Sequence, residues 1–578
     1  MTVKLVRSIS GCALLAAFLS APCQAATSRV APPLGALTGL HESGAADPRS
    51  ILRIAIELQP HGDLDALAQH AIDPADPART APLTADQVRD RFGRLPEARA
   101  LAALLRTAGA RNAGAPGDGL IAGGNLTVSE AEAFFHARWL RYTDGARTVL
   151  APSGPLSVPA ANVRDVRGAV SATTPKLDDT RPTFTLFRGD WYDAARFRSM
   201  MNAVEGGGTD QRIVVIEDAS DRFSLDDVAT FLRAQGPPPG AQAQRETERS
   251  FAFKAAGSDC GRDDRGQEPA LDVDGSITMA PLASVVVDYD DVCSPGNDGT
   301  FAMANALDLD PTVLVFPFSV GPVDTTAAAR YGQTPLPILE AAVRGIPLVV
   351  PAGDDGAYGY REPGVERARV VWPCVLSLVI CVGGTQLGDR DGVTDEGPWN
   401  DLVHATGGGI SGEPRPVWQN APGDFLFSPQ YVHNRIVPDV SADASGHLRV
   451  YWHSYGLGGV GGTSESASIV GAQLAAINSL VPVAHRLRSV QDLYALARRT
   501  PAAFRDVQRE NDRGYKDNTL RPPRPPLPKN YRGVLPTPPP LVYGCAGIQP
   551  QGCSVTTGFD AVSGIGSIME RAAVDALR

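Results

Sequence analysis

Gly459-Val460-Gly461-Gly462-Thr463-Ser464 joins an extended apolar run, Leu448–Trp452, to an Ala-rich stretch of helical pattern, Glu465–Ile477. A strand, a glycine turn and a helix with serine at its start put a hydroxyl at the positive end of a helix dipole. Backbone N–H groups at such a place can hold an anion, as acyl transfer requires. A plain helix N-cap is an equally common use of serine, and the motif alone does not separate the two.

Outward from this turn, Arg212–Ile216, Ser284–Val287, Thr312–Phe316, Pro347–Val350 and Leu378–Val382 are short runs rich in β-branched residues. Helical patterns, Leu225–Gln235 and Leu336–Arg344, lie between them. This order predicts an α/β unit over 186–578, a mostly parallel sheet with helices on both faces. Ligands collect at the carboxyl ends of such strands. The Pro-rich stretch Arg521–Pro540 reads as a surface excursion.

Residues 51–152 read as a separate α+β unit. Leu52, Ile54, Ile56 and Leu58 alternate as in a half-buried strand, and Leu64, Leu67, Ala68 and Ile72 repeat at helical spacing. Thr84 with Gln87 and Ser129 with Glu132 offer capping boxes. Asp144-Gly145 suits a hairpin turn. Residues 153–185, rich in Pro, Ala, Ser and Thr, read as an exposed linker open to proteolysis.

Lys4 and Arg7 precede the apolar stretch Cys12–Ser20 and the small-residue context Cys23-Gln24-Ala25, the pattern of an export signal over 1–25, followed by an N-terminal segment, 26–50. About nine apolar residues cannot cross a bilayer of about 30 Å. Ile9-Ser10-Gly11-Cys12 precedes the apolar stretch instead of ending it, which weighs against a lipid anchor. The expected destination is extracellular, through a periplasm where there is one. A net charge of −11 argues against a nucleic-acid partner. Six cysteines remain beyond the leader, Cys260, Cys293, Cys374, Cys381, Cys545 and Cys553, an even number that suits disulfides in an exported chain. Proximity favours Cys374–Cys381 and Cys545–Cys553, leaving Cys260–Cys293; the spacings do not fit zinc.

A serine nucleophile needs a base. No histidine stands between His136 and His404, so a histidine triad in the usual orders is not expected. Carboxylates are at hand. Glu268 and Asp272 share one face if their segment is helical, with Pro269 tolerable in a first turn. Two such groups can share a proton and keep one ionised in acid. Asp354 follows the run Pro347–Val350 at a strand's carboxyl end. An acidic surface face and an Asp-rich turn are the plain alternatives for these residues.

Taken together and in order, these strings resemble the sedolisins, the serine-carboxyl peptidases. The resemblance is carried by Gly266-Gln267-Glu268-Pro269-Ala270-Leu271-Asp272-Val273, Val350-Pro351-Ala352-Gly353-Asp354, Cys381-Val382-Gly383-Gly384-Thr385, Gly407-Gly408-Gly409-Ile410-Ser411, Val437-Pro438-Asp439-Val440-Ser441-Ala442-Asp443-Ala444 and Val460–Ser464, with Pro82-Leu83-Thr84 and Leu150-Ala151-Pro152 in the first unit. It implies a subtilisin-like fold behind a ferredoxin-like α+β prodomain that guides folding and blocks the cleft. It implies Ser464 as nucleophile, Glu268 as general base, Asp272 as its orienting carboxylate and Asp354 as a protonated donor to the oxyanion. It implies one calcium ion held by the side chains of Asp506 and Asp560 and the carbonyls of Val507, Thr556 and Gly558, hard oxygen ligands. Thr556 stands where the family usually has glycine, Asp274 where it often has glutamate, and Val315-Phe316-Pro317-Phe318 where smaller polar residues are usual. The expected protein is a monomeric, secreted, acid-acting endopeptidase zymogen that takes protein or peptide substrates. A tripeptidyl exopeptidase fits the same resemblance. A binding protein on a dead protease scaffold is disfavoured because all four catalytic positions are intact.

Overall fold

A computed structural model describes residues 27–30, 41–143, 148–159, 166–171, 191–219, 221, 223–235, 252–255, 266–290, 292, 299–323, 334–358, 370–390, 393–401, 404–419, 434–511, 515–518 and 554–578. The export signal, the Asp144-Gly145 turn and Cys260, Cys293, Cys545 and Cys553 lie outside them.

The alternation Ile51-Leu52-Arg53-Ile54-Ala55-Ile56-Glu57-Leu58 organises the first unit. It forms strand β1 (Ile51–Leu58), and Leu52, Ile54, Ile56 and Leu58 are fully buried in that unit's own core. Strands β2 (Arg111–Gly114), β3 (Ile121–Thr127) and β4 (Val166–Ser171) complete an antiparallel sheet in the order β2-β3-β1-β4. Helices α3 (Leu95–Thr107) and α4 (Val128–Phe135) close the core over it. A strand, a helical excursion, a two-stranded hairpin, a helix and a last edge strand give the ferredoxin-like arrangement.

Three readings of this unit change. The linker expected over 153–185 supplies strand β4 and a further strand, Leu156–Pro159, whose Leu156 and Val158 are buried. Its Pro- and Ala-rich composition masks the alternation. The unit also starts before residue 51, because His41–Ala45 pairs with Trp139–Thr143. The second capping box belongs to Thr127 and Glu130, not to Ser129 and Glu132. Two S/T-x-x-E patterns overlap there; β3 ends at Thr127, which therefore caps, while Glu132 accepts the Trp139 N–H. The box at Thr84 and Gln87 forms as read, and the strands either side of Asp144-Gly145 pair antiparallel.

The second unit is built on parallel strands β5 (Arg212–Asp218), β6 (Ala252–Ala255), β7 (Ser284–Asp290), β8 (Val313–Val315), β9 (Leu348–Pro351), β10 (Ile380–Arg390) and β12 (Val440–Asp443), with β11 (Val393–Pro398) antiparallel on β10. The order is β6-β7-β5-β8-β9-β10-β12, continued by β14 (Ser567–Ile568) and β13 (Phe504–Arg505). Successive side chains go to opposite faces and both faces are buried. Ile213 and Val215 join the core containing helices α5 (Gln267–Met279) and α8 (Thr463–Leu480), while Val214 and Ile216 join the core of α6 (Thr300–Leu307) and α7 (Leu336–Val343). Such strands read as unbroken apolar runs, as the sequence shows. Cys374 and Cys381 are bonded to one another at the start of β10.

The first unit docks on α6 and α7 through the other face of β1 and through helices α1 (Leu64–Ile72) and α2 (Ala85–Phe92). Arg53 reaches Asp290 at 2.7 Å, both buried, and lies over the Phe301 ring. Glu57 accepts the Leu336 N–H, and Arg79 makes two bonds to Asp492. Removing one member of a buried ion pair costs about 3–5 kcal/mol because its partner stays desolvated. Arg53→Ala should therefore lower the stability of the full-length chain by about that amount in urea unfolding; a loss well under about 1 kcal/mol would mean the pair does not hold the docked state.

Candidate active site

Ser464 stands in the first turn of α8, a helix buried along almost its whole length. Small residues let it thread the core: a Cβ on Gly471 would come within 2.6 Å of the Val315 side chain. The preceding turn is equally tight, with Ala444 O 2.4 Å from where a Cβ on Gly461 would be. The helix N-cap is Gly462, so Ser464 does not cap its helix.

Glu268 and Asp272 lie on α5, which packs against α8. The left-handed Gly266 starts this helix, its N–H bonded to Asp221 Oδ1 at 2.5 Å, and Pro269 falls in the first turn. The Glu268 carboxyl stands close enough to the Ser464 hydroxyl to be held down somewhat by it, outside ordinary hydrogen-bond geometry, and its Oε2 is buried without a partner. Burial pushes Glu268 well above the usual carboxylate range, and the charge of Asp272 adds to this. Burial likewise pushes Asp272 up to about 7. Glu217 and Ser468 stand close enough to Asp272 to hold it down somewhat. Neither reaches ordinary hydrogen-bond geometry, so both Asp272 oxygens lack a settled partner.

Asp354 follows β9 and reaches α8 from the other side. Its Oδ1 accepts from the Thr463 N–H at 2.8 Å and the Thr463 hydroxyl at 2.7 Å. That leaves Oδ2 to face the turn. Asp354 Oδ2 and Ser464 Oγ are each 3.1 Å from the point where a Cβ on Gly462 would stand, so only glycine keeps the space between them open. Burial raises the Asp354 carboxyl, against the two Thr463 bonds and the nearby His404. The structure thus brings Ser464, Glu268, Asp272 and Asp354 together.

Further acids escape the sequence reading. Glu217, the last but one residue of the apolar strand β5, is fully buried, raised by burial first and then by Asp272. Its only signal is a glutamate at the carboxyl end of a buried strand. Glu465 looks like an ordinary first-turn helix acid, yet it too is fully buried and well raised. Asp274, already noted in the sequence, lies on the same helix as the pair, accepts the Tyr451 N–H and is raised by burial. Phe316 is fully buried in the core beside Phe318.

Away from this cluster, Asp506 and Asp560 meet at one turn. Asp506 Oδ2 accepts the Gly558 N–H at 2.7 Å, and Asp560 Oδ2 accepts the Thr556 N–H at 2.8 Å. Asp506 Oδ1 is buried without a partner. An orphaned carboxylate oxygen is a ligand a hard cation takes, and the turn otherwise presents N–H groups to the two carboxylates. Among the described residues no group of three or more His, Cys, Asp or Glu side chains is placed to hold a metal, so carbonyls would have to complete the shell.

The family described as Pro-kumamolisin, activation domain, matches residues 38–174. Kumamolisin from Bacillus sp. (strain MN-32) is 30% identical over 262 residues, 42% of this chain and 44% of that protein. Tripeptidyl-peptidase 1 of Mus musculus is 26% identical over 473 residues, 75% of this chain and 80% of that one. The kumamolisin match thus spans under half of that protein's length. Among solved structures, a Pseudomonas sedolisin (serine-carboxyl proteinase) complex covers 67% of this chain and 98% of its own, at 22% identity and a TM-score of 0.51, a likeness of fold.

The acid cluster makes stability depend on pH. Asp272 ionises near 3.8 when unfolded and about 7 when folded. Below both values it is protonated in either state and costs nothing. Between them only the unfolded chain releases the proton, so stability falls as pH rises, by up to about 1.4 kcal/mol per pH unit for one such group. Glu217, Glu268 and Glu465 shift in the same direction. Thermal melting of Ser464→Ala should show Tm falling steadily from about pH 4 to about 7, the window set by Asp272; a flat or rising Tm would contradict the assignment.

Proposed function

The chain belongs to the sedolisin family, and from that premise we propose that it is the zymogen of an exported, acid-acting serine-carboxyl endopeptidase. The reading rests above all on the Glu268 carboxyl close to the Ser464 hydroxyl, with Asp354 across the same turn. Ser464 Oγ attacks the scissile carbonyl carbon as Glu268 takes its proton. Asp272 keeps Glu268 oriented. The negative carbonyl oxygen is held by Asp354, protonated at Oδ2, and by the Ser464 N–H, a first-turn donor with no acceptor within its helix. Glu268 then protonates the leaving amine, the C–N bond breaks, and water releases the acyl group by the reverse sequence.

Acid operation follows from these groups. Asp354 must be protonated to donate, and burial favours that form. A histidine base would be charged and useless where carboxyls work. The first unit, docked on α6 and α7, serves as the chaperone and inhibitor of the second. Because β4 runs to Ser171 and Tyr192 is tied to His447, the maturation cut falls between them, within 172–191. Asp506 and Asp560, with the carbonyls of Val507, Thr556 and Gly558, would hold one calcium ion. The ion would lend structural stability and take no part in the reaction. The leader over 1–25 directs export; no helix among the described residues is long and apolar enough to cross a membrane.

The match to a tripeptidyl-peptidase over most of the chain favours a second reading, removal of tripeptides from free N-termini. Casein digestion at about pH 4, in the carboxyl titration range, tests both. The wild type should process itself to a mature chain starting within 172–191 and then make internal cuts, while Ser464→Ala does neither. Successive tripeptides would favour the exopeptidase, and activity in Ser464→Ala would overturn the mechanism. Calcium is tested separately. EGTA should lower the Tm of the mature enzyme and added calcium restore it, saturating ion at about 100 times Kd being worth about 2.7 kcal/mol. Asp560→Asn should abolish the difference.

A further inference from the structure

The turn that carries Asp354 is zipped to a second stretch of chain, residues 405–407. The Gly407 N–H donates to Gly353 O at 2.7 Å, the Ala405 N–H to Asp354 O at 2.9 Å and the Gly356 N–H to Ala405 O at 2.8 Å. A Cβ on Gly407 would lie 1.8 Å from Ala352 O, so only glycine lets the two backbones come this close. Thr463 fixes Asp354 Oδ1, but the direction of Oδ2 also follows the backbone of its own turn. Whatever steadies 405–407 therefore steadies the group proposed to meet the oxyanion.

Asn518 does so from outside. Its Nδ2 donates to Thr406 O at 3.0 Å, and its own carbonyl accepts the Ala357 N–H at 3.1 Å. The side chain thus grips the supporting stretch while the main chain grips the end of the Asp354 turn. Thr406 is held on its other sides as well, its N–H donating to Trp399 O at 3.0 Å and its hydroxyl accepting the Gly384 N–H at 2.7 Å. The chain before Asn518 is anchored in turn: Asp517 O accepts from Asn400 Nδ2 at 2.9 Å, and Lys516 O accepts the Val555 N–H at 2.7 Å. Asn518 is 1% exposed, a place where leucine would fill the same space without burying a polar group. Its Oδ1 is buried with no partner among the described residues, so the donor is the half of the carboxamide in use.

We propose that Asn518 is a positioning residue for the reaction: by joining Thr406 O to the Ala357 N–H it holds the Asp354 turn so that Oδ2 stays aimed at the oxyanion. The inference rests on the roles proposed for Ser464 and Asp354. Asn518 acts through the backbone of two turns and touches no reacting atom. A displacement of about 1 Å at a catalytic group can cost about 100-fold in rate. The bound substrate makes little use of the oxyanion donor before the tetrahedral centre forms, so the loss falls on kcat and not on KM.

Asn518→Leu removes the donor and keeps the bulk. In the mature enzyme kcat should fall about tenfold or more with KM within about twofold of the wild type, the pattern of an interaction made only in the transition state. A peptide aldehyde reads the same donor at equilibrium. Ser464 Oγ adds to its carbonyl carbon, the Oγ proton passes to Glu268, and the former carbonyl oxygen takes the oxyanion's place. The matched peptide alcohol fills the same subsites and forms no adduct. The preference for aldehyde over alcohol should therefore drop about tenfold in Asn518→Leu, with the alcohol bound as before. Both ligands meet the same folded molecules, so this ratio is blind to lost stability, and Asn518→Ala gives the same reading where leucine does not fit. In an Asp354→Ala background Asn518→Leu should leave the remaining preference unchanged, because it acts through that carboxyl. A preference within about twofold of the wild type, an equal loss for both ligands, or an undiminished effect in Asp354→Ala would overturn the proposal. Failure of the underlying reading would show differently, as a wild type that binds the aldehyde no better than the alcohol.

Discussion

Around Ser464 the fold buries Glu217, Glu268, Asp272 and Glu465, and the strongest influences on the four are burial, the charges of one another and of Asp443, and hydrogen bonds. Two unit charges about 4 Å apart repel by about 4 kcal/mol at an effective dielectric of about 20. A domain has only about 5–15 kcal/mol of net stability. The cluster therefore cannot carry all its charges and remain folded, and it must hold protons. Acid is a condition of this structure as well as of the reaction proposed for it.

Opposite charges also meet at the contact between the two units. There Arg53 meets Asp290 and Arg79 meets Asp492, buried or half-buried charges each answered by an opposite one. Those pairs lose little when both members stay ionised. The contact also buries an acid pair: Glu340 on α7 is pushed well above the usual carboxylate range by burial and then by Asp118 of the first unit. The site and the interface thus both hold buried acids. Both are seated on the same sheet: α5 and α8 cover one face, α6 and α7 the other, and alternate residues of β5 and β8 feed the two cores.

The parallel strands were legible because burial on both faces writes them as unbroken apolar runs, and β1 because its alternation is strict. Ser464, Glu268, Asp272 and Asp354 were legible through strings that resemble a family, since each alone reads as a cap, an acidic face or a turn. Glu217 and Glu465 were not legible. Periodicity reports which face of an element is apolar, and a glutamate inside a core breaks that pattern without saying why. Strand β4 was hidden for another reason: its partner β1 is more than a hundred residues away, and the composition around it is that of a loop. The capping box at Thr127 shows local chemistry deferring to the strand before it, because where β3 ends decides which of two overlapping patterns can cap.

Whether Ser464 caps a helix or attacks a substrate turns on Asp354. The first N–H groups of α8 need an acceptor, and Asp354 supplies one by taking the Thr463 N–H from outside the helix. Ser464 is thereby relieved of capping and its hydroxyl is left for Glu268. The same arrangement sets two forces on Asp354. The helix N-terminus and the Thr463 bonds favour its anion, burial favours its neutral form, and burial prevails. One carboxyl can then do both tasks, accepting at Oδ1 to hold the helix start and donating from Oδ2 toward the space that Gly462 leaves empty. A serine N-cap in place of that glycine would satisfy the helix and fill the cradle, so the lack of a capping side chain at Gly462 is itself a requirement of the proposed chemistry.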